Sequence, residues 1–563
     1  MLRALFALVL IGATSIATTS VGFPRRAHGQ DPAPALAPGP PWRGVKPEGA
    51  NEVFATADGC ALCHSAAPRA VAMRSPTGED LSPHGLWQAT AMGNAFRDPF
   101  WRAQMAREVS LAPERQREIE SSCLRCHAPM AHHSARLAGG LPPTFDEVAA
   151  DPLALDGVSC TVCHQAGADG LGTDTSFGGR LAIERGRTIF GPHADPASAP
   201  MVQHSRYTPT HGPHISESAL CGACHTLLAE HGDQPFPEQT PYLEWRNSVF
   251  TSESGPNSES QSCQSCHMPE FGATKIARNP GGRDFNIPLR PDYSAHLFVG
   301  GNAFLLDMLR ENAEELGVTA PPEALERTAM ATRRQLAERT TRVAIEGARR
   351  EGTRLLFSVH VENLTGHKFP SGYPARRAWL EVDVRAGRDV LFSSGRSDER
   401  GRLIGVADER ALPHVDRVSD PRSVQVWEMV AADTEGRPVT DLSRMATRIK
   451  DNRLLPRGWR PDGPHSEHTA PVGTAGDSDF AAGSDRVHFD VEVGDGERTL
   501  RIVAWVRYQP MPPTWVDPLR AVDHEHARQF VRFYDAADPR PEVAGLAVRT
   551  VTGAPAEAPT DDR

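Results

Sequence analysis

Five copies of one short motif, Cys-x-x-Cys-His, constrain this chain more than any other feature of its sequence. They lie at residues 60–64, 123–127, 160–164, 221–225 and 263–267 and use all ten cysteines. Two thiols and an adjacent imidazole at this spacing can meet one porphyrin, because the thiols add to its vinyl groups while the imidazole binds its iron. The sequence therefore predicts five covalently attached c-type haems.

The predicted haem contacts form two sets, one of cysteines and one of histidines. The attaching cysteines are Cys60, Cys63, Cys123, Cys126, Cys160, Cys163, Cys221, Cys224, Cys263 and Cys266. The proximal iron ligands are His64, His127, His164, His225 and His267. A redox-active cysteine pair or a zinc site also uses Cys-x-x-Cys, but neither requires a histidine directly afterwards. With 23 histidines in 563 residues, five chance placements have odds of roughly 10⁻⁷.

The motifs are closely spaced along the chain. Their first cysteines are separated by 63, 37, 61 and 42 residues. About forty residues per haem is too little chain to bury each porphyrin in its own protein core. We therefore expect the haems to pack against one another, which favours rapid electron exchange between them.

The N-terminus predicts export. A short basic start, an apolar stretch to about residue 21 and a small-residue site indicate a signal peptide over residues 1–29. An uncleaved signal, the alternative, would anchor the protein to a membrane. Either outcome predicts a periplasmic or extracellular location, where haem is attached to c-type cytochromes. Residues 30–49 are rich in proline and are expected to form a tether.

The remaining pattern predicts an α+β protein. A loop-rich, mainly α multihaem domain is expected over residues 50–300, with helices at 100–111 and 242–250. Helical spacing from residue 304 to 316, and two prolines opening a second helix, predict a helical connector over 301–346. Alternating apolar residues then predict a C-terminal β-sandwich over 347–550 and a disordered tail over 551–563.

Charge and hydropathy argue against nucleic acid as a partner and against an internal membrane-spanning helix. The formal net charge of −11 argues against nucleic acid. No internal apolar run reaches the roughly 18 residues that a membrane-spanning helix needs. A redox partner protein, by contrast, can dock on an acidic surface through its own basic patch.

The second axial position of each iron decides between carrying electrons and catalysis. A histidine or methionine there closes the iron, whereas an open position allows chemistry. The candidates are His84, Met92, His132, His133, His204, His211, His214, His296 and His367. Five others are expected to be ordinary surface histidines, namely His414, His465, His468, His524 and His526.

Distinctive segments surround the motifs and continue beyond them. They include LWQATAMGNAFRDPFWRA, CLRCHAPMA, DGVSCTVCHQ, LCGACHTL, FPEQTPYLEWRNS, SCQSCHMP, HLFVGGNAFLLDML, NLTGHKFPSGYPARRAWLEV and KDNRLLPRGW. With them, the chain resembles exported multihaem, here pentahaem, cytochromes of the cytochrome c-552/c-554 superfamily. The resemblance implies mostly bis-histidine haems in stacked and perpendicular pairs. It points to His214, His296 and His367 as distal ligands.

Several functions fit these features. The leading prediction is extracytoplasmic electron transfer through five haems, by a carrier more than by an enzyme. The alternative is a reductase of a small nitrogen or sulfur oxyanion at one open haem, with a cationic cluster such as residues 193–214. All five motifs end in histidine, and the lysine variant of pentahaem nitrite reductases is absent, which lowers that expectation. A third interpretation is a subunit of a homo-oligomeric haem filament.

Overall fold

Short helices contain four of the five motifs, and the fourth motif begins in another. We describe residues 49–229, 235–410, 412–496 and 498–552 of a computed structural model. The helices before residue 300 are Ala57–His64, Pro83–Trp87, Pro99–Leu111, Gln116–His127, Pro129–Leu137, Phe145–Val148, Pro152–Leu155, Cys160–Gln165, Ser198–Ser205, Ser218–Gly222, Pro241–Arg246 and Cys263–His267. The predicted signal peptide, most of the tether and nearly all of the tail lie outside the described residues.

Three two-stranded ribbons complete this helical half. Their strands pair as Thr188–Gly191 with Thr208–His211, Leu227–Ala229 with Phe236–Gln239, and Glu270–Phe271 with Tyr293–Ser294. The first ribbon is parallel and the other two are antiparallel. The strand Thr188–Gly191 and neighbouring loops and turns place the backbone carbonyls that four of the motif histidines contact.

The predicted helices are present, but those expected over 242–250 and 304–316 end early. Pro99–Leu111 confirms the first expectation, whereas the helix expected over 242–250 ends at Arg246. There the side chain of Asn247 bonds instead to the backbone of Arg460, donating to its carbonyl and accepting from its N–H. A tertiary contact has replaced the helix hydrogen bonds.

The connector contains three helices, Ala303–Glu311, Ala313–Leu316 and Pro322–Arg339. The helix expected from the apolar spacing over 304–316 is interrupted at Asn312. The side-chain amide of Asn312 donates to the Met308 carbonyl at 2.9 Å. This bond competes with continuation of the helix. The prolines at 321 and 322 open the third helix as expected.

The C-terminal half is a β-sandwich, which confirms the predicted α+β class. One sheet has the order Asp389–Ser394, Arg377–Ala386, Leu500–Gln509, Glu542–Val551, with Val426–Trp427 added beside the second strand. The other has the order Arg417–Val418, Ser484–Glu492, Arg354–Asn363, Thr341–Glu351. Their inward residues alternate and are buried together, with Phe357 stacked on Phe489 at 4.8 Å.

Smaller elements border the sandwich. A three-stranded sheet joins Pro438–Val439, Met429–Ala432 and Thr447–Asp451. The last helices are Ser466–Thr469, Pro513–Val516 and Glu525–Ala536. None of the helices in the described ranges is long and apolar enough to span a membrane.

One apolar core joins the parts of the chain. It contains Phe100 and Ala103 of the helical half, Leu309 and Leu325 of the connector, and Phe530 of the Glu525–Ala536 helix. The rings of Phe100 and Phe530 lie 5.2 Å apart. The sandwich half is thus packed against the Pro99–Leu111 helix and the connector, and its loop at His367 reaches His267 of the fifth motif.

Candidate functional site

Helical geometry brings the three reactive side chains of a motif together. Residues three and four positions apart lie on one face of a helix, so both cysteines and the histidine lie on the same face in the first, second, third and fifth motifs. In the fourth motif the helix Ser218–Gly222 ends before Cys224 and His225. The first two motifs close the helices Ala57–His64 and Gln116–His127, and the fifth forms Cys263–His267. All ten cysteines are free and partly accessible. The residues present therefore fit covalent haem attachment.

Four proximal histidines are held in one tautomer by the backbone. The Nδ1 atoms of His64, His127 and His164 donate to the carbonyls of Ile276, Ala95 and Phe190, at 2.9, 2.9 and 2.7 Å. In the same way Nδ1 of His267 donates to the Val299 carbonyl. A carbonyl can only accept, so Nδ1 carries the proton and the Nε2 lone pair is available. This is the arrangement that orients iron-binding histidines.

Burial also keeps the motif histidines neutral. It lowers the pKa of His127 to about 4. It lowers the pKa of His225 to about 4 as well, with further repulsion from His267, Arg376 and His367. A neutral imidazole is the form that binds a metal ion.

Two of the predicted distal ligands face a proximal histidine at the spacing that a haem iron requires. The ring centroids of His164 and His296 are 6.3 Å apart with planes 20° from parallel. Those of His267 and His367 are 6.2 Å apart at 13°. A metal–nitrogen bond of about 2 Å, plus about 1.1 Å from nitrogen to ring centroid, gives roughly 6.2 Å between two axial imidazoles. Both pairs match this value.

The distal rings are oriented in the same way as the proximal ones. Nδ1 of His296 donates to the Ser294 carbonyl at 3.2 Å, and Nδ1 of His367 donates to the Lys368 carbonyl at 2.8 Å. Each ring therefore keeps Nε2 unprotonated. The third candidate differs, because Nε2 of His214 is taken by the Ala166 carbonyl at 2.9 Å and its ring packs on Phe190. Within the described residues, His214 has no ring contact with a proximal histidine.

A buried ionic network positions the loop that carries His367. Nζ of Lys368 lies 2.7 Å from an Asp451 carboxylate oxygen, and Arg453 bridges Asp451 and Glu244 at 2.7 and 3.3 Å. Glu244 belongs to the helical half and accepts hydrogen bonds from the Lys368 backbone N–H and the Ser371 hydroxyl. The side chains of Lys368, Asp451 and Glu244 are fully buried. The network fastens the sandwich loop against the fifth motif.

Contacts between cysteines connect all five motifs. Cys60 lies beside Cys160, Cys126 beside Cys224, and Cys221 beside Cys263, so that each thiol shifts the pKa of its neighbour. Cys163 lies close enough to Cys221 and Cys224 to raise their pKa values, together with the larger effects of these neighbouring thiols and of burial. The first motif is thus next to the third, the third next to the fourth, and the fourth next to both the second and the fifth.

The second motif borders a polar region that the sequence did not indicate. Trp101 stacks flat on His127, with centroids 4.2 Å apart. Burial, with the nearby Glu108 carboxylate and Cys126, raises the pKa of Glu238 to about 8. Glu238 and Glu108 also act on the buried Tyr373, whose hydroxyl has no hydrogen-bond partner among the described residues.

Gln104 extends this polar region along one helix. It lies between Trp101 and Glu108 on one face of Pro99–Leu111, and both atoms of its buried amide lack hydrogen-bond partners in the described ranges. Glu238 and Tyr373 lie within segments that carry the family resemblance, but only the fold brings them to the second motif.

Two of the five histidines expected at the surface are buried, so that expectation was wrong for them. His526 is 4% exposed, and the side chain of His414 is 5% exposed. His526 packs edge-on against Phe145, whereas His414 belongs to a cluster of carboxylates in the sandwich. Neither burial could be predicted locally, because both result from contacts between distant segments.

One solved structure is distantly similar. It is the crystal structure of a penta-heme cytochrome c552 from Thermochromatium tepidum, with 16% identity over 76% of this chain and 83% of that chain and a TM-score of 0.44. No family model matches the sequence, and no curated protein matches it.

Proposed function

We propose that the chain carries electrons outside the cytoplasm through five covalently bound c-type haems. The observation that supports this most strongly is the parallel placement, 6.3 and 6.2 Å apart, of His164 with His296 and of His267 with His367. A c-type haem closed by two imidazoles supplies one reversible electron at its iron. The backbone carbonyls fix the tautomers, so that Nε2 of each ring is available to the metal.

The contacts between motifs support a continuous path. Because the first, third, fourth and fifth motifs touch in that order, an electron could pass along them without leaving the protein. The second motif touches the fourth through Cys126 and Cys224 and forms a side branch. The fourth motif is therefore the proposed junction.

The proposed location and partners follow from the sequence. We place the protein in the periplasm or outside the cell because of the signal-like residues 1–29. Its net charge of −11 favours transient docking of redox proteins with basic patches. Such docking weakens as salt increases.

Replacing a proposed distal ligand tests the function at the level of spin state. In His367→Ala, one iron should change from low spin to high spin in the electron paramagnetic resonance spectrum of the oxidised holoprotein. His296→Ala should do the same to a different iron. The matched control is His204→Ala, because His204, although a candidate from the sequence, is an exposed helix residue in the structure. Unchanged low-spin spectra in both distal variants, at equal haem content, would contradict the proposed ligation.

A second candidate function is reduction of a small nitrogen or sulfur oxyanion at the second haem. The observation that favours it is the buried polar region of Gln104, Glu238 and Tyr373 beside the second motif. Its unused donors, the Gln104 side-chain NH₂ and the Tyr373 hydroxyl, could hold an anion, and a carboxyl group with a pKa of about 8 could deliver a proton near neutral pH.

Ligand binding to the oxidised protein distinguishes this candidate from a pure carrier. If the second haem is open, nitrite or hydroxylamine should shift a high-spin signal that is already present in the untreated protein. Glu238→Gln should alter that shift, whereas Glu338→Gln, at an exposed helix position, should not. An entirely low-spin spectrum that neither additive changes would exclude an open haem.

A further inference from the structure

A cluster of aspartates and histidines lies at one end of the sandwich, in the half of the chain that contains no cysteine. It contains two neighbouring sets, His414 with Asp477 and Asp485, and His488 with Asp416 and Asp479. Within each set the possible ligand atoms lie within 4.8 Å of one another. Three chain segments, 414–416, 477–479 and 485–488, each contribute one residue to each set.

The cluster contains carboxylate oxygens with nothing to bond to. Asp485 is 0% exposed. Its Oδ2 accepts from Nε1 of Trp427 at 2.7 Å and from the Gln425 amide at 3.0 Å. Its Oδ1 is buried without a hydrogen-bond partner in the described residues, and so are Oδ1 of Asp416 and Oδ1 of Asp479. Buried charged oxygens normally have hydrogen-bond or metal partners. Three unpartnered oxygens in one cluster therefore indicate that a partner is missing.

Nearby basic side chains do not fill this role. Arg486, on the same strand as Asp485, pairs with Glu346 at 3.1 Å. Arg417 is exposed and acts on Asp416 from outside the cluster. Four carboxylates therefore face one another with two imidazoles between them, and a cation would balance their charge.

The histidines have different parts in the cluster. Nδ1 of His488 is 2.8 Å from the Ser358 hydroxyl, and Nε2 is 3.0 Å from Asp479 and 3.8 Å from Asp416. Because the Asp479 carboxylate can only accept, Nε2–H of His488 donates to it and Nδ1 accepts from the Ser358 hydroxyl. In the other tautomer, with Nδ1–H donating to Ser358, Nε2 could bind an ion between Asp479 and Asp416. Nδ1 of His414 instead accepts from Asn452 and Gln425, so its Nε2–H donates to Asp477 at 2.8 Å. His414 orients a carboxylate.

We propose that this cluster binds divalent cations, one at the carboxylates of Asp416 and Asp479 with the imidazole of His488, and one at the carboxylates of Asp477 and Asp485, because the ligand atoms lie within 4.8 Å of one another inside each set. His414 is a positioning residue. Carboxylate oxygens suit Ca²⁺ and Mn²⁺, and the imidazole adds a donor that suits Mn²⁺ and Zn²⁺. Ions in the two sets would tie the 414–416 segment and the 477–479 loop to the Ser484–Glu492 strand, independently of the haems.

The test is metal analysis of the holoprotein. The protein is stripped with a chelator, equilibrated separately with Ca²⁺, Mn²⁺ or Zn²⁺, and analysed by mass spectrometry with the covalently held haem iron as internal reference. We expect at least one of the three to be retained at about one ion or more per chain, with a raised Tm. Asp485→Asn and Asp479→Asn should each bind at least about tenfold more weakly.

The control variant is Asp490→Asn, on the same strand, because Asp490 pairs with Arg354 outside the cluster. It should retain the ion like the parent. The proposal is overturned if the parent retains none of the three ions and its Tm does not respond to them. In that case the oxygens share protons as carboxylic acids. It is also overturned if folded Asp479→Asn binds as tightly as the parent. If Asp485→Asn does not fold, comparison of the parent with Asp479→Asn still tests the proposed cation binding.

Discussion

The side chain of Glu244 links the helical half to the loop that carries His367. Its carboxylate contacts Arg453, the Lys368 backbone and the Ser371 hydroxyl, all of them in the sandwich half. A buried charge of this kind is stable only with its partners in place. The orientation of the His367 imidazole thus depends on buried charged groups in other segments of the chain, Glu244 and Arg453.

Removing that carboxylate should be costly. Glu244→Gln leaves Arg453 and Lys368 with one fewer counter-charge inside the protein, and we expect the free energy of unfolding to fall by about 3–5 kcal/mol. Urea denaturation of the holoprotein measures it. The control is Glu338→Gln, which breaks an exposed ion pair with Arg334 and should cost less than about 1 kcal/mol. Equal, small losses in both variants would contradict the role given to Glu244.

The same network predicts acid sensitivity. Burial raises the pKa values of Asp451 and Glu244, but the charges of Arg453 and Lys368 outweigh it and lower both. A lowered pKa in the folded state adds stability above the ordinary carboxyl pKa of about 4, and this stability is lost as the pH falls below it. Between pH 5 and pH 3, the parent should therefore lose more unfolding free energy than Glu244→Gln. A larger loss in the variant would reverse the sign and refute the interpretation.

At the scale of elements, two helices distant in sequence hold the halves of the protein together. Pro99–Leu111 packs on Glu525–Ala536 through Phe100 and Phe530, and the buried N-terminus of the first helix is capped by Asp98. The same helix places Trp101 on His127. Packing by the sandwich half therefore supports the second motif.

Truncating this contact should destabilise the protein strongly. Phe530 is fully buried, so Phe530→Ala should lower the free energy of unfolding by about 3–5 kcal/mol. Leu546→Ala is the control, because Leu546 is 54% exposed on a strand of the sandwich, and its effect should stay within about 0.5 kcal/mol. Thermal unfolding followed by far-ultraviolet circular dichroism compares the two. A loss below about 1 kcal/mol for Phe530→Ala would show that the helix contact is not what joins the halves.

The elements differ in how far the sequence predicts them. Alternation at Leu355, Phe357, Val359 and Val361 correctly predicts a strand, because one face of that strand is buried against the second sheet. The end of the Pro241–Arg246 helix could not be predicted, since the Asn247 bond to Arg460 crosses more than two hundred residues. Local pattern predicts elements that local burial decides, and it fails where distant polar contacts decide.

The candidate functional site shows the same difference between residues that a local pattern predicts and residues that distant contacts bring together. Each motif is local, so the cysteines and histidines proposed to attach and bind haem are evident from the sequence itself. His296 and His367 face proximal rings in the fold, and the family resemblance had pointed to both. The proposed roles of Glu238, Tyr373 and the Asp416–Asp485 cluster depend on segments that meet only in three dimensions. No pattern in the sequence distinguishes those residues from other buried or loop residues.

At the scale of the whole molecule, the motifs form one connected group with the fourth at its centre. Each motif has a cysteine that lies beside a cysteine of another motif. Electrons entering at the first motif could reach the fifth through the third and fourth. The sandwich contributes His367 to this arrangement and is not a separate appendage.

The decisive measurement is a coulometric redox titration of the holoprotein, with iron analysed on the same sample. Five connected c-type haems should give five iron atoms and five reversible electrons per chain, spread over several potentials because the motifs differ in burial and hydrogen bonding. Fewer than five reversible electrons in protein that contains five irons would contradict an electron carrier built from all five motifs.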